Sequence, residues 1–370
     1  MNSLQQLSSI SKLLASTNHQ RSDVYAHHIH SFPQRVGRTL IDLRGSSALV
    51  SACHESALHN KVIPGILLVG AKWFADERAI PVKVIRAKAM GMCFGVKDAL
   101  SAIMMIDSPE KATIYGQLVH NPEVLKRIEA LGFSMLEESN RTPAVSTPSV
   151  VITAHGLSDK ERGTLKASGK TLIDTTCPLV SRVHQIAKGW HEQGYFVVVA
   201  GRKDHVEVKG IVGDLERCAV VERPEDVTAY QADRIAVVCQ TTTPPALRDG
   251  LFETISRKNA GKVIQFVDTI CGPTRERQEA VEDLLPQVQA LVVVGGKNSN
   301  NTRQLRALGE KAGVPCFQVE RASELQPEWF YGLYTVGLTA GTSTLDQTID
   351  EVYRALIEME VSRDATSELR

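Results

Sequence analysis

Seven cysteines stand in this chain, Cys53, Cys93, Cys177, Cys218, Cys239, Cys271 and Cys316, and two of them share a local phrase. Leu172–His184 reads LIDTTCPLVSRVH, and Phe266–Gln278 reads FVDTICGPTRERQ. Each is a short apolar run, then Asp-Thr-x-Cys, then a stretch that reads as helix. A third cysteine, Cys93, follows VKVIRAKAMGM, is flanked by Gly91 and Gly95, and also leads directly into a helical pattern. Cys93, Cys177 and Cys271 lie 84 and 94 residues apart, about one small α/β unit per cysteine. Three such units meeting at their strand ends would bring three thiolates to one point. Three thiolates suit iron–sulfur better than zinc, because a cubane with three protein ligands keeps one iron open. The odd cysteine count and long spacings do not suggest a secreted disulfide framework, and the lack of C-x-x-C argues against a zinc ribbon or thioredoxin-type site. Cys218, Cys239 and Cys316 read as small buried hydrophobes.

The elements that must position these thiols alternate strand and helix. Apolar, β-branched runs occur at 112–116, 150–154, 171–174, 196–200, 235–239, 263–268, 291–296 and 333–339. Helical periodicities lie between them: Val96, Leu100, Ile103 and Met104 share one face, as do Ile349, Val352, Tyr353 and Ile357. The pattern predicts an α/β fold of parallel sheets covered by helices. The expected organisation is an N-terminal extension over 1–82, α/β units over 83–177, 178–270 and 271–360, and a tail over 361–370. The HHIH run in the extension reads as exposed and polar rather than as a metal site.

In parallel α/β units ligands gather where strands end and the next helix presents its N-terminus. Those points here suit an anion: His120 and Asn121 in LVHNPE, His155 in TAHGLS, His205 and Glu207 in GRKDHVEVKG. Thr241 and Thr242 follow in CQTTTP, Ser299, Asn300 and Asn301 in GGKNSNNTRQL, and Ser343 in TAGTSTLD. Singly, each is an ordinary helix cap or a structural histidine. Six such points at corresponding places in repeated units describe a phosphate site. Glu207 lies two residues after His205, so an extended segment would aim both side chains the same way.

Bulk properties exclude other classes. Lys+Arg and Asp+Glu are both 42, so no global basic field favours nucleic acid or an anionic membrane. The longest apolar runs are too short to span a bilayer. The N-terminus lacks the basic start and apolar core of a signal peptide. It is Ser-rich with no acidic residue before Asp23, so the expected compartment is the cytoplasm, or a plastid or other organelle if this stretch is a transit peptide.

Nine motifs in register, GMCFGV, LVHNPEV, TAHGLS, DTTCPLVSRVH, HVEVKG, QTTTP, DTICGPTRERQEAV, GGKNSNNT and TAGTSTLDQTIDEV, resemble the 4-hydroxy-3-methylbut-2-enyl diphosphate reductase (LytB/IspH) family. The resemblance covers about residues 83 to 360, and its wording is most similar to the cyanobacterial and plastid-type branch. It implies a trefoil of three α/β units around a central 4Fe-4S cluster held by Cys93, Cys177 and Cys271 with one iron open. His120, His155, His205, Ser299, Asn300, Asn301 and Ser343 match diphosphate-binding positions, Glu207 the proton-delivering acid, and Thr241 a hydroxyl beside the substrate. The implied reaction removes the allylic hydroxyl as water with two electrons and two protons. The products would be isopentenyl and dimethylallyl diphosphate. A carrier such as ferredoxin or flavodoxin would supply the electrons, since no G-x-G-x-x-G nucleotide fingerprint occurs.

The chain departs from the family's wording at Arg202-Lys203-Asp204, at Asn300, and at Met90 and Met92, all expected beside the reacting end. Two alternatives follow: a member acting on another phosphorylated allylic alcohol, and a non-catalytic iron–sulfur sensor on the same fold.

Overall fold

In each four-stranded sheet the two central strands are mostly apolar and buried along all but at most their first residue, which is what a strand covered on both faces requires. The computed structural model describes residues 80–142 and 144–361. What was expected of residues 1–79, including Cys53 and the HHIH run, and of residues 362–370 lies outside the described residues. The strands are β1 Ile80–Pro81, β2 Lys83–Arg86, β3 Ala112–Ile114, β4 Ser134–Met135, β5 Ser149–Ile152, β6 Thr171–Asp174 and β7 Phe196–Ala200. They continue as β8 Cys218–Val221, β9 Arg234–Cys239, β10 Val263–Phe266, β11 Ala290–Val294, β12 Cys316–Val319, β13 Thr335–Ala340 and β14 Glu360–Val361. The helices are α1 Phe94–Met104, α2 Pro122–Ala130, α3 Asp159–Ala167, α4 Pro178–Glu192, α5 Val206–Val212, α6 Pro245–Lys258, α7 Gly272–Leu284, α8 Asn300–Lys311 and α9 Asp346–Glu358.

Three four-stranded parallel sheets result, in the orders β4-β3-β5-β6, β10-β9-β7-β8 and β12-β11-β13-β2. Counted along the chain, each has the spatial order second, first, third, fourth. The fourth place of the last sheet is taken by β2, from the start of the described chain. Lys83–Arg86, expected to open the first unit, therefore pairs in parallel with β13 and closes the third. A short antiparallel pair, β1 with β14, joins the two ends of the described chain.

Each sheet is covered on both faces. In the third, Val292, Val294, Val336 and Leu338 pack against α9 on one side, while Leu291 and Val293 pack with Val281, Leu284 and Leu305 on the other. On α9 the face toward the core is Ile349, Val352 and Leu356. The expected Ile357 is exposed, because a 3.6-residue period carries the stripe from 352 to 356. Met90 and Met92 pack into apolar cores, as two long apolar side chains would.

Candidate active site

In each sheet the fourth, edge strand delivers one cysteine. β2, β6 and β10 lead to Cys93, Cys177 and Cys271, which stand at the N-caps of α1, α4 and α7. None of the three spends its side chain on capping. Each is instead held by its backbone: the amides of Cys93, Cys177 and Cys271 donate to the carbonyls of Thr342, Ala154 and Thr241, at 3.0, 3.1 and 3.0 Å. Those carbonyls all follow the third strand of the same sheet, so one local geometry is written three times and leaves three thiols free.

The thiols line one cavity of about 680 Å³, its open mouth included. All of His120, His155, His205, Glu207, Thr241, Ser299, Asn300, Asn301 and Ser343 line it too. These residues thus face one space, although they come from points up to 250 residues apart in the chain; Asn121 is the exception among the points expected at the site. Val96, Val119, Leu179 and Val180 supply an apolar lining.

Three cysteines that line one cavity and take no part in capping are a donor set that fits an iron–sulfur cluster. Among the described residues no three His, Cys, Asp or Glu side chains could hold a single ion. Burial raises the Cys177 thiol and pushes Cys271 up to about 11, so both stay protonated until a metal displaces the proton. The Thr274 hydroxyl lies 3.1 Å from Cys271 Sγ, close enough for a hydrogen bond to the sulfur. Gly95 is a further requirement: a Cβ there would come within 2.4 Å of Cys177 Sγ. Sequence reading named neither Thr274 nor Gly95 for these roles. Both were detectable as neighbours of cysteines at helix starts, one within the same helical turn and one across the site.

Three imidazoles form the opposite wall. The His120 and His155 rings stack with centroids 4.4 Å apart, and His205 meets them edge-on at 5.4 and 5.6 Å. Burial, aided by nearby guanidinium groups, lowers His120 to about 4 and His205, beside His120, to about 3, and burial also holds His155 well below its usual value. All three are neutral at neutral pH. His205 does not lie on an extended segment. It caps α5, its Nδ1 accepting the Glu207 amide at 3.1 Å, because a ring nitrogen satisfies an orphan helix donor. That bond fixes the neutral tautomer and leaves the proton on Nε2.

Glu207, in the first turn of α5, is 2% exposed. The Thr241 amide donates to one carboxylate oxygen at 2.7 Å and the Thr241 hydroxyl to the other at 2.9 Å. Burial outweighs these bonds and raises Glu207 to about 7. Beside it, Asn300 Nδ2 donates to the Thr242 hydroxyl at 2.8 Å. Asn301 Oδ1 accepts the Thr342 amide at 3.1 Å. Its Nδ2, like His155 Nδ1, is buried without a partner among the described residues, a vacancy that an anion's oxygens would fill. Ser299 caps α8 through its hydroxyl. Asn121 caps α2 and donates to the Ser343 carbonyl at 2.9 Å; it holds Ser343 in place and does not line the cavity.

The family model described as LytB protein matches residues 84–357. A 4-hydroxy-3-methylbut-2-enyl diphosphate reductase of Aquifex aeolicus is 36% identical over 287 residues, 75% of this chain and 97% of that one. The protein of the same name in Methylibium petroleiphilum is 37% identical over 286 residues, 76% of this chain and 86% of its own. A solved (E)-4-hydroxy-3-methyl-but-2-enyl diphosphate reductase, described as the terminal enzyme of the non-mevalonate pathway, superposes with a TM-score of 0.54 at 34% identity, covering 74% of this chain and 99% of that one. The reductase from Plasmodium falciparum superposes with a TM-score of 0.68 at 22% identity, covering 79% and 95%, and shares the fold. The chain belongs to the LytB family, whose matched relatives are 4-hydroxy-3-methylbut-2-enyl diphosphate reductases.

Proposed function

We infer that this chain reductively dehydroxylates 4-hydroxy-3-methylbut-2-enyl diphosphate to isopentenyl and dimethylallyl diphosphate, the last step of the non-mevalonate route. The observation that carries the reading is the convergence on one cavity of three uncommitted thiols, a buried acid with pKa about 7, and a neutral polar wall with unpartnered groups.

Cys93, Cys177 and Cys271 would hold a 4Fe-4S cluster through three irons. When bound, such a cluster supplies electrons singly and acts as a Lewis acid at its open position. The protein residues do the rest. His120, His155, His205, Ser299, Asn300, Asn301 and Ser343 bind the diphosphate, a remote handle whose binding energy orients the reacting end. Val96, Leu179 and Val180 face the five-carbon chain and exclude water. Glu207 delivers a proton to the leaving hydroxyl: a carboxyl with pKa about 7 is substantially protonated at working pH and still acidic enough to give the proton up. The Thr241 hydroxyl, in contact with both Glu207 and the cavity, sits on the proton's route. Two electrons and two protons convert the allylic alcohol into an alkene and water. A one-electron carrier such as ferredoxin or flavodoxin supplies the electrons. No helix among the described residues is long and apolar enough to cross a membrane.

Anaerobic incubation of the iron-loaded chain with the allylic diphosphate and a chemical one-electron reductant tests this reading. Both five-carbon products are expected, and the free alcohol, lacking the diphosphate, is expected to react poorly. Equal turnover of alcohol and diphosphate would remove the basis for the anion wall.

A further inference from the structure

A second cleft opens beside the cavity and shares His120 and His205 with it. Its lining includes four cationic side chains, Arg141, Arg202, Lys209 and Arg303, and four acidic ones, Glu137, Glu138, Glu161 and Asp204. The inner wall poses a charge problem. Its histidines are neutral, and its serine and asparagines carry no charge. Yet the terminal phosphate of a diphosphate ester brings roughly 1.5 to 2 negative charges near pH 7. Burying such a group against neutral donors alone is costly, so a counter-charge must lie close by.

Two of the four cations are already committed. Arg141 pairs with Glu138 at 2.6 Å, and Lys209 faces Asp204 at 3.8 Å. Arg202 and Arg303 have no carboxylate within ion-pair distance among the described residues. Arg303 has one side-chain contact, a 3.5 Å approach to Asn300 Oδ1, and its Nε is buried without a partner. Glu222, the carboxylate whose charge Arg303 feels, accepts the Lys203 amide. Both guanidinium groups line the same cleft as His120 and His205, and the positive charge of each helps to hold those imidazoles neutral. Two like charges held together beside a neutral phosphate wall make a site completed by an anion between them. The loop that carries Arg202 is held for the purpose, its amide donating to Gln240 Oε1 at 3.1 Å.

We propose that Arg202 and Arg303 form a guanidinium clamp at the mouth of the cavity that binds the substrate's terminal phosphate and sets the preference for a diphosphate. The clamp rests on the reading of the substrate given above. It also gives the unusual Arg202-Lys203-Asp204 wording a task at the phosphate end instead of the reacting end.

The test uses the full-length, cluster-loaded chain and two probes: inorganic diphosphate, followed by calorimetry, and the allylic diphosphate, followed by turnover with a chemical reductant. Arg202→Gln and Arg303→Gln should each weaken inorganic diphosphate binding and raise KM roughly 10-fold, with kcat within about two-fold of wild type. The double variant should also flatten the fall of kcat/KM with added salt. Arg202→Lys should restore the salt dependence but only part of the affinity, because an ammonium lacks the two-pronged donor geometry. Lys203→Gln, on the same loop but exposed, should change nothing. A double variant that binds inorganic diphosphate as tightly as wild type, with unchanged salt dependence, overturns the clamp. So does a loss of kcat without a loss of diphosphate binding. If wild type binds inorganic diphosphate through the two arginines but reduces no allylic diphosphate, the clamp stands and the reaction assigned above fails.

Discussion

Thr241 holds Glu207 at both carboxylate oxygens, through its amide at 2.7 Å and its hydroxyl at 2.9 Å, and the same residue's carbonyl accepts the amide of Cys271. Glu207, the proposed proton donor, and Cys271, a proposed cluster ligand, are therefore fixed to one another through a single threonine. In the proposed function Glu207 holds neither metal nor phosphate, so Glu207→Gln should keep iron content and substrate affinity while turnover falls roughly 100-fold or more. Near-normal turnover in this variant would move the proton source elsewhere.

Glu207 must be protonated to act. With its pKa raised to about 7, kcat should fall as pH rises through about 7. The Thr241 hydroxyl bond favours the ionised form. Thr241→Val should therefore raise the Glu207 pKa and move this falling limb to higher pH, besides lowering kcat. A limb that stays in place or moves down would separate it from Glu207.

The three histidines are neutral in the free protein, and a bound diphosphate favours their charged forms. Their pKa values rise on binding, so protons are taken up wherever pH lies between the free and bound values. Affinity should increase as pH falls from about 7 toward 5. Calorimetry at pH 6 in two buffers of different ionisation enthalpy should report net proton uptake, and proton release would contradict the arrangement.

Cys93→Ser, Cys177→Ser and Cys271→Ser should each lose bound iron, whereas Ser at Cys218, Cys239 or Cys316 should keep it. Gly95→Ala should mimic the first group with all three cysteines still in place, since its methyl group would press on Cys177 Sγ. Iron analysis alongside circular dichroism separates lost metal from lost fold. A full iron complement in Gly95→Ala would show that α1 and α4 tolerate a wider approach.

Much of the site could be read in the sequence because the fold repeats. Central strands such as Val197–Val199 and Val292–Val294 are fully buried apolar runs, and each unit writes its polar residues just after such a run. Besides the two-residue β1 and β14, the strands without a legible signal were β2, β4, β8 and β12. All lie at sheet edges, where half-exposed residues such as Lys83, Arg86, Ser134 and Gln318 blur the apolar pattern. The pairing of β2 with β13 was hidden because it joins residues about 250 apart in the chain. The helical start at Val206 was hidden because a histidine replaces the usual Ser, Thr, Asp or Asn cap. Arg303 reads from sequence as one more surface charge on α8. The proposed clamp emerges only once the fold brings Arg202, in the loop after β7, to the same cleft.

The most direct measurement is electron stoichiometry in an anaerobic single turnover. The cluster-loaded chain is given the allylic diphosphate and a counted supply of a one-electron reductant, and the five-carbon products are quantified. The account requires two electrons consumed for each isopentenyl or dimethylallyl diphosphate formed, with the hydroxyl oxygen recovered as water. Product formed without electron consumption, or reductant consumed with the alcohol left intact, would contradict it.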